Sequence, residues 1–532
     1  MRQIMLSISL VLLAGCGGGG GGSSTPTPTY TVGGTVSGLT SGTLVLKNNN
    51  GDDLTISANS TSFTFATALA SGAAYAVTAV TQPSRLACNV ANNTGTIAST
   101  NVTGVTITCI APVITNTPTY TVGGTVSGLT SGTLVLKNNN GDDLTINANS
   151  TSFTFATALA SGATYAVTAG TRPSRLACDI TNNTGSIASA NVTGVTITCI
   201  TPVYVTNFDS NTVSMYAVNA TTGILTALAT PTVATGTGPT SIVVNPAGTF
   251  AYVANETSNT VSMYAINATT GILTPLTTPT VATGTTPSSI NVNPAGTFVY
   301  VTNKLSNTVS MYAINATTGI LTPLATPTIA TGGTRPFWTA VHPAGTFAYV
   351  AYDLDVNVSI YSINATTGIL TALTTPTVVT GNRSIAVHPA GTFAYVTNET
   401  SNTVSMYAIN STTGILTALA TPTVATGSSP YTITVHPTGT FAYVTNALSN
   451  TVSMYGINAT TGILTPLATP TIAIGFSPFS IRVNPAGTFA YMENYSGNTV
   501  SMYAINATTG ILTALTTPFV ATGTGPSAIA FK

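Results

Sequence analysis

SIVVNPAGTFAYVANETSNTVSMYAINATTGILTPLTTPTVATG, residues 241–284, alternates short apolar runs with turn residues. The pattern predicts four strands, at residues 241–245 (SIVVN), 250–255 (FAYVAN), 260–266 (TVSMYAI) and 272–277 (ILTPLT). Pro246-Ala247-Gly248 and Asn267-Ala268-Thr269-Thr270-Gly271 separate two of the pairs with residues that favour tight turns. Proline has no ladder donor, so Pro275 and Pro279 put the fourth strand on an outer edge, where they also discourage pairing with other chains.

The unit recurs. Val-Ser-Met-Tyr, or Val-Ser-Ile-Tyr, ends at Tyr216, Tyr264, Tyr312, Tyr361, Tyr407, Tyr455 and Tyr503, with spacings of 48, 48, 49, 46, 48 and 48. Four strands at this period read as blades of a β-propeller, and seven blades lie within the usual range. The array, residues 202–532, begins on a second strand (VYVTN, 203–207) and ends on a first strand (SAIAFK, 527–532). The last strand is therefore expected to complete blade one and close the ring by backbone hydrogen bonds.

A second repeat precedes the ring. TYTVGGTVSGLTSGTLVLKNNNGDDLTI starts at Thr29 and again at Thr119. Its short alternating runs predict two β-sandwich modules, at 30–110 and 120–200. They resemble the immunoglobulin-like or prealbumin-like spacer modules of proteobacterial surface lipoproteins. Cys88, Cys109, Cys178 and Cys199 allow three connectivities, and because the modules are duplicates the favoured pairs are Cys88–Cys109 and Cys178–Cys199. Closing a loop of this size adds roughly 3 kcal/mol in the chain-entropy view and implies an oxidising compartment. Asn48-Asn49-Asn50-Gly51-Asp52-Asp53 lacks the spaced ligands and closing Glu of an EF-hand, and reads as a hairpin turn around Asn-Gly. The fold class is all-β: a seven-bladed β-propeller preceded by two small disulfide-linked β-sandwich modules.

Residues 1–16, MRQIMLSISLVLLAGC, join one cation to an apolar run too short to span a bilayer. The ending Leu-Ala-Gly-Cys resembles the lipobox of bacterial lipoproteins, which implies a cleaved signal and a lipidated Cys16. Gly17 stands in place of the Asp that retains lipoproteins at the inner membrane, which favours the outer membrane or cell surface, with the periplasm as the alternative. Residues 17–29 form a Gly/Thr/Pro tether reaching about 20 Å. The expected product is an exported, lipid-anchored monomer whose membrane contact runs through Cys16.

Only 4% of the 532 residues are charged, against about 25% in ordinary soluble chains, and the net charge is zero. Nucleic acid is excluded as a partner for want of a basic face. No Ser-His-Asp set, HExxH, CxxC or phosphate loop occurs, and neither a metal nor a cofactor is expected. His342, His388 and His436 share a repeat position with Asn245, Asn293 and Asn484, which suits turn caps. The Asn-x-Thr triplets at Asn219, Asn267, Asn315, Asn364, Asn410, Asn458 and Asn506 fall in one turn of every blade, so turn chemistry accounts for them.

HPAGTFAYVTN, residues 388–398, resembles the YVTN-repeat propellers grouped with the seven-bladed lactonase family, which includes 6-phosphogluconolactonase-like and carboxymuconate-cyclase-like proteins. The resemblance implies the fold and, for an enzyme, lactone hydrolysis. Function resides in sites rather than folds, so the departures from the repeat carry the information. Two positions vary widely on one face: Phe208, Glu256, Lys304, Asp353, Glu399, Ala447 and Tyr495 after the second strand, and Thr240, Ser288, Phe337, Arg383, Tyr431, Phe479 and Ser527 at the start of the first.

The sector of blades four to seven concentrates Phe337, Trp338, Arg383, Tyr431 and Phe479, with Arg335, Asp353 and Asp355 above. Aromatic faces and a forked cation suit a glycan, a small molecule or a protein loop. On these residues the first expectation is a surface binding protein. The alternatives are a lactone hydrolase and a passive structural repeat protein. In blade seven, Arg482 is placed opposite Tyr491, with Glu493 diagonal to it, and a structural ion pair is expected.

Overall fold

The computed structural model describes residues 26–113, 117–379, 383–475 and 477–532. The signal segment, Cys16 and tether residues 17–25 lie outside the described residues. The chain divides into two compact units, one ending at Thr117 and the other spanning Pro118–Lys532.

Module one is a sandwich of two four-stranded sheets. Ser62–Thr64, Val32–Ser37, Val102–Ile110 and Ala87–Ala91 form the first; Asp52–Ser57, Thr43–Asn48, Ala74–Thr81 and Thr94–Thr96 form the second. Alternation turns Val32, Leu44, Leu46, Val77 and Val105 inward, all fully buried. Both disulfides form as expected, each joining residues directly opposite on neighbouring antiparallel strands. The hairpin at 48–52 differs from the Asn-Gly expectation. Its left-handed residues are Asn49 and Asn50, at φ 50° and 62°, and the Asn49 amide secures the turn by donating to the Ala74 carbonyl at 2.8 Å.

Module two repeats this sandwich and runs into the ring without a linker. Its strand Val192–Asn207 starts beside Val122–Ser127 and continues as the second strand of blade one. Pro526–Phe531 pairs antiparallel with the far end of this strand, from Val203↔Phe531 to Thr206↔Ala528, and closes the ring as the sequence predicts. Lys532, the last residue, bonds back to module two through its Nζ and the Leu176 carbonyl, 2.5 Å apart.

Every blade is a four-stranded antiparallel sheet with the proline-bearing fourth strand outermost; the strands run in chain order in blades two to seven, while blade one takes its innermost strand from the C-terminus. In blade two the fourth strand, Leu273–Ala282, is longer than predicted. Its partners jump from Pro275 to Thr280, so Pro279 falls in a bulge where no ladder donor is needed.

Blades pack face to face, so all six residues of Phe250–Asn255 are buried. The strand's large residues, Phe250 and Tyr252, pack toward blade three, against Val299 and Val301. The small ones, Ala251 and Val253, receive Tyr204 of blade one. This large-against-small alternation explains the recurring Phe-Ala-Tyr-Val.

The tyrosine also makes a polar latch. Tyr204, Tyr252, Tyr300, Tyr349, Tyr395, Tyr443 and Tyr491 donate to the carbonyls of Gly271, Gly319, Gly368, Gly414, Gly462, Gly510 and Gly223, at 2.7 to 3.1 Å. Each acceptor belongs to the next blade. Gly319 illustrates why glycine is needed: its φ is +73°, and a Cβ would collide with the Phe250 ring.

The turn residues act as caps. Asn245 Oδ1 accepts from the amides of Thr249 and Phe250 within its own blade. His342 Nδ1 accepts from Ala344 N–H at 3.1 Å, while its Nε2 donates to Gly391 O of the next blade at 2.9 Å. A histidine there adds an inter-blade bond that asparagine does not make. In the Asn-x-Thr turns, Asn267 Oδ1 accepts from the amides of Thr269 and Thr270.

Tyr300→Phe strips the buried Gly368 carbonyl of its donor. It should lower stability by about 1–3 kcal/mol, read as a shifted urea midpoint with unchanged slope.

Candidate functional site

The two variable positions meet at one mouth of the central channel. They enclose a cavity of about 230 Å³ lined by Phe208, Thr240, Glu256, Ser288, Lys304, Phe337, Trp338, Tyr431, Phe479, Tyr495 and Ser527. Short loops put the residue after each second strand beside the start of the neighbouring first strand, as where Glu256 N–H donates to Gly238 O at 2.7 Å.

The aromatic residues form a connected arc. Phe337 meets Tyr431 edge-on at 5.7 Å, Tyr431 meets Phe479 at 4.7 Å, Phe479 stacks on Tyr495 at 6.3 Å, and Tyr495 approaches Phe208 at 6.5 Å. Burial holds the Tyr431 hydroxyl well above its ordinary pKa, so it stays neutral.

Behind the arc lies an ionic knot. Asp353, buried, takes Lys304 at 3.0 Å, Arg335 at 2.8 Å and Arg383 at 2.8 Å. Arg383 also bonds Glu399 through Nε at 2.5 Å and stacks on Phe337 and Tyr431, 5.2 and 4.8 Å from the ring centroids. Burial acts to lower the Arg383 pKa, but the Glu399 hydrogen bond and nearby anions leave it above its ordinary value. Lys304 sits over Phe337 at 5.2 Å.

Of the residues singled out from sequence, Phe337, Trp338, Tyr431 and Phe479 line the cavity. Arg383 is engaged by two carboxylates and two rings, so it braces the wall. Arg335 joins the knot beside it. Asp355 lies apart, accepting from the Thr334 backbone amide and fixing that loop.

Glu256 and Lys304 were visible as variable residues but fell outside the chosen sector. A ring has no first blade, and blades two and three border the same mouth. Glu256 makes no side-chain hydrogen bond or ion pair among the described residues. Burial raises its pKa above the usual carboxylate value, against the opposing pull of Lys304 and Arg335. Among the described residues no three His, Cys, Asp or Glu side chains converge to hold a metal ion.

Beneath the mouth, blade seven differs from expectation. Arg482 does lie opposite Tyr491, but no ion pair with Glu493 forms. The Glu493 carboxylate turns to Ser480 and accepts from its backbone N–H at 3.0 Å and from its hydroxyl at 2.9 Å. Arg482 instead faces the Trp338 ring at 5.4 Å. Burial pushes Glu493 up to about 7, with the Ser480 bonds and Arg482 opposing.

The family described as lactonase, seven-bladed β-propeller, matches residues 200–380 and 374–531. A candidate 6-phosphogluconolactonase from Bacteroides fragilis superposes with a TM-score of 0.56 at 22% identity, over 63% of this chain and 98% of its own. A second candidate 6-phosphogluconolactonase, from Bacteroides uniformis, gives 0.55 at 20%, over 63% and 99%. The periplasmic gluconolactonase of Pseudomonas aeruginosa gives 0.54 at 17%, over 62% and 99%. These likenesses establish the propeller fold. No curated protein matches at a significant level.

The raised Glu493 pKa has a thermodynamic sign. The folded state keeps its proton to higher pH than the unfolded state, so stability falls as pH rises from about 4.5 to about 7. Glu493→Thr, which restores the residue found in blades one, three, five and six, should gain up to about 3 kcal/mol over wild type at pH 8. At pH 4 the gain should shrink toward zero, as measured by denaturant melts at both pH values.

Proposed function

The chain belongs to the seven-bladed β-propeller lactonase family, and on that premise we propose that it hydrolyses the lactone of a sugar acid at the channel mouth. The observation that carries this reading is Glu256, a carboxylate in the cavity wall that makes no side-chain hydrogen bond among the described residues, with a raised pKa and Lys304 as the cation acting on it most strongly. A base of that kind accepts a proton from water as the water attacks the lactone carbonyl. Lys304 stabilises the oxyanion of the tetrahedral intermediate. The ring C–O bond then breaks, and protonated Glu256 returns its proton to the departing alkoxide, leaving an open hydroxy acid. Phe337, Tyr431, Phe479 and Tyr495 offer faces for the sugar ring, and a cavity of about 230 Å³ suits one ring.

The knot at Asp353 holds Lys304 and Arg383 in place, a positioning role. The aromatic arc that suggested a binding surface becomes the substrate platform. The solved relatives, a candidate 6-phosphogluconolactonase and a gluconolactonase, supply the substrate class to try first. Export and a lipid anchor at Cys16 remain part of the proposal, supported by two disulfides that an oxidising compartment would maintain.

The test is acid release from D-glucono-δ-lactone and its 6-phosphate by the full chain, corrected for spontaneous hydrolysis. Glu256→Gln should cut kcat at least about 100-fold with little change in KM. Wild-type kcat/KM should rise with pH through a value above the usual carboxylate range, because the base works only when deprotonated. Hydrolysis unaffected by Glu256→Gln would remove this mechanism.

A further inference from the structure

Below Trp338 the central channel widens into a chamber of about 540 Å³, reaching the Pro-x-Gly turns of the opposite face, where Arg175 of module two joins its lining. Ile and Val are the commonest residues of its wall, and among the described residues that line it there is no Asp or Glu. Arg482 projects from this wall. The six equivalent positions hold Val243, Asn291, Ala340, Ala386, Thr434 and Ala530, none charged.

The polar members of that set are already used. Asn291 donates to Thr339 O at 2.7 Å, and Thr434 donates to Ile481 O at 2.6 Å. Arg482 alone makes neither hydrogen bond nor ion pair among the described residues, and its Nε is shielded from solvent without an acceptor. Its guanidinium lies over the Trp338 ring, 5.4 Å from the centroid. Glu493, the nearest acid, is spent on Ser480.

A guanidinium has five donors in one plane. Stacking on an aromatic face leaves those edge donors free, in the geometry that grips a planar or tetrahedral oxyanion in two-pronged fashion. Arg482 is half-buried with only its Nε shielded, so its terminal amino groups face the chamber, and an anion entering there supplies both acceptors and counter-charge. Arg175, also without a side-chain hydrogen bond among the described residues, adds a second positive charge at the far end of the same chamber.

We propose that the channel chamber is a second binding site, for a small oxyanion of the carboxylate or phosphate type, gripped by Arg482 against Trp338. It lies beneath the mouth cavity and shares only Trp338 with that cavity's lining, and the proposal does not depend on lactone hydrolysis. Trp338 is the only tryptophan in the chain, which makes it a built-in reporter.

The experiment titrates the full chain with sodium acetate or inorganic phosphate, against sodium chloride at matched ionic strength, while following tryptophan fluorescence. Acetate or phosphate should give a saturable change that chloride does not, and the arm that saturates at lower concentration identifies the preferred anion. Arg482→Met should raise the Kd at least tenfold and Arg175→Ser a few fold. Glu256→Gln, at the mouth, should leave it unchanged. Should Arg482→Met fail to fold, Arg482→Lys, which keeps the charge and loses the fork, should weaken binding to an intermediate degree. Absence of saturation, an equal response to chloride, or a Kd indifferent to Arg482 substitution would overturn the proposal.

Discussion

Seven buried tyrosine hydroxyls, each donating to a glycine carbonyl of the next blade, hold the ring to its geometry. Hydrophobic packing between sheets is strong but has little directional preference. A buried hydroxyl is different, because sliding the blades by one residue would leave donor and acceptor both unpaired. The latch therefore converts adhesion between blades into a defined register. The mouth depends on that register, since its cavity draws residues from blades one, two, three, four, six and seven.

The period, the strand order within a blade, the proline edge and the closing strand were all legible in the sequence, because each rests on spacing or on a residue's intrinsic backbone chemistry. Contacts between blades were less so. Phe250 and Gly319 are 69 residues apart, and nothing local announces that one packs on the other. The exchange of His for Asn at the Pro-x-Gly turn looked neutral, yet His342 reaches a neighbouring blade and Asn245 does not. Arg482 and Glu493 were placed on correct register positions, but which partner each side chain would choose depended on Ser480 and Trp338. At the mouth, four aromatics of the blade four-to-seven sector line the cavity, while Glu256 and Lys304 come from blades two and three, with Lys304 reaching into that sector to Asp353 and Phe337.

The scarcity of charge also takes on meaning. Strands buried on both faces leave no room for ions in the framework, and Thr, Ser and Asn at the turns satisfy backbone groups without any. Those charges that do occur in the ring gather mainly where substitution has broken the repeat, at the mouth and in the wall of blade seven. A knot such as that around Asp353 is tolerable there because three cations share one buried carboxylate. It also fixes the side chains that border the cavity.

The strand Val192–Asn207 has a mechanical consequence. A pull delivered through module two enters the ring along the axis of a strand flanked on both sides, by Thr212–Val218 and Pro526–Phe531. Force applied in that direction loads the flanking hydrogen bonds in shear, all together, instead of peeling them one at a time. The blade that closes the circle is thus also the one built to carry tension.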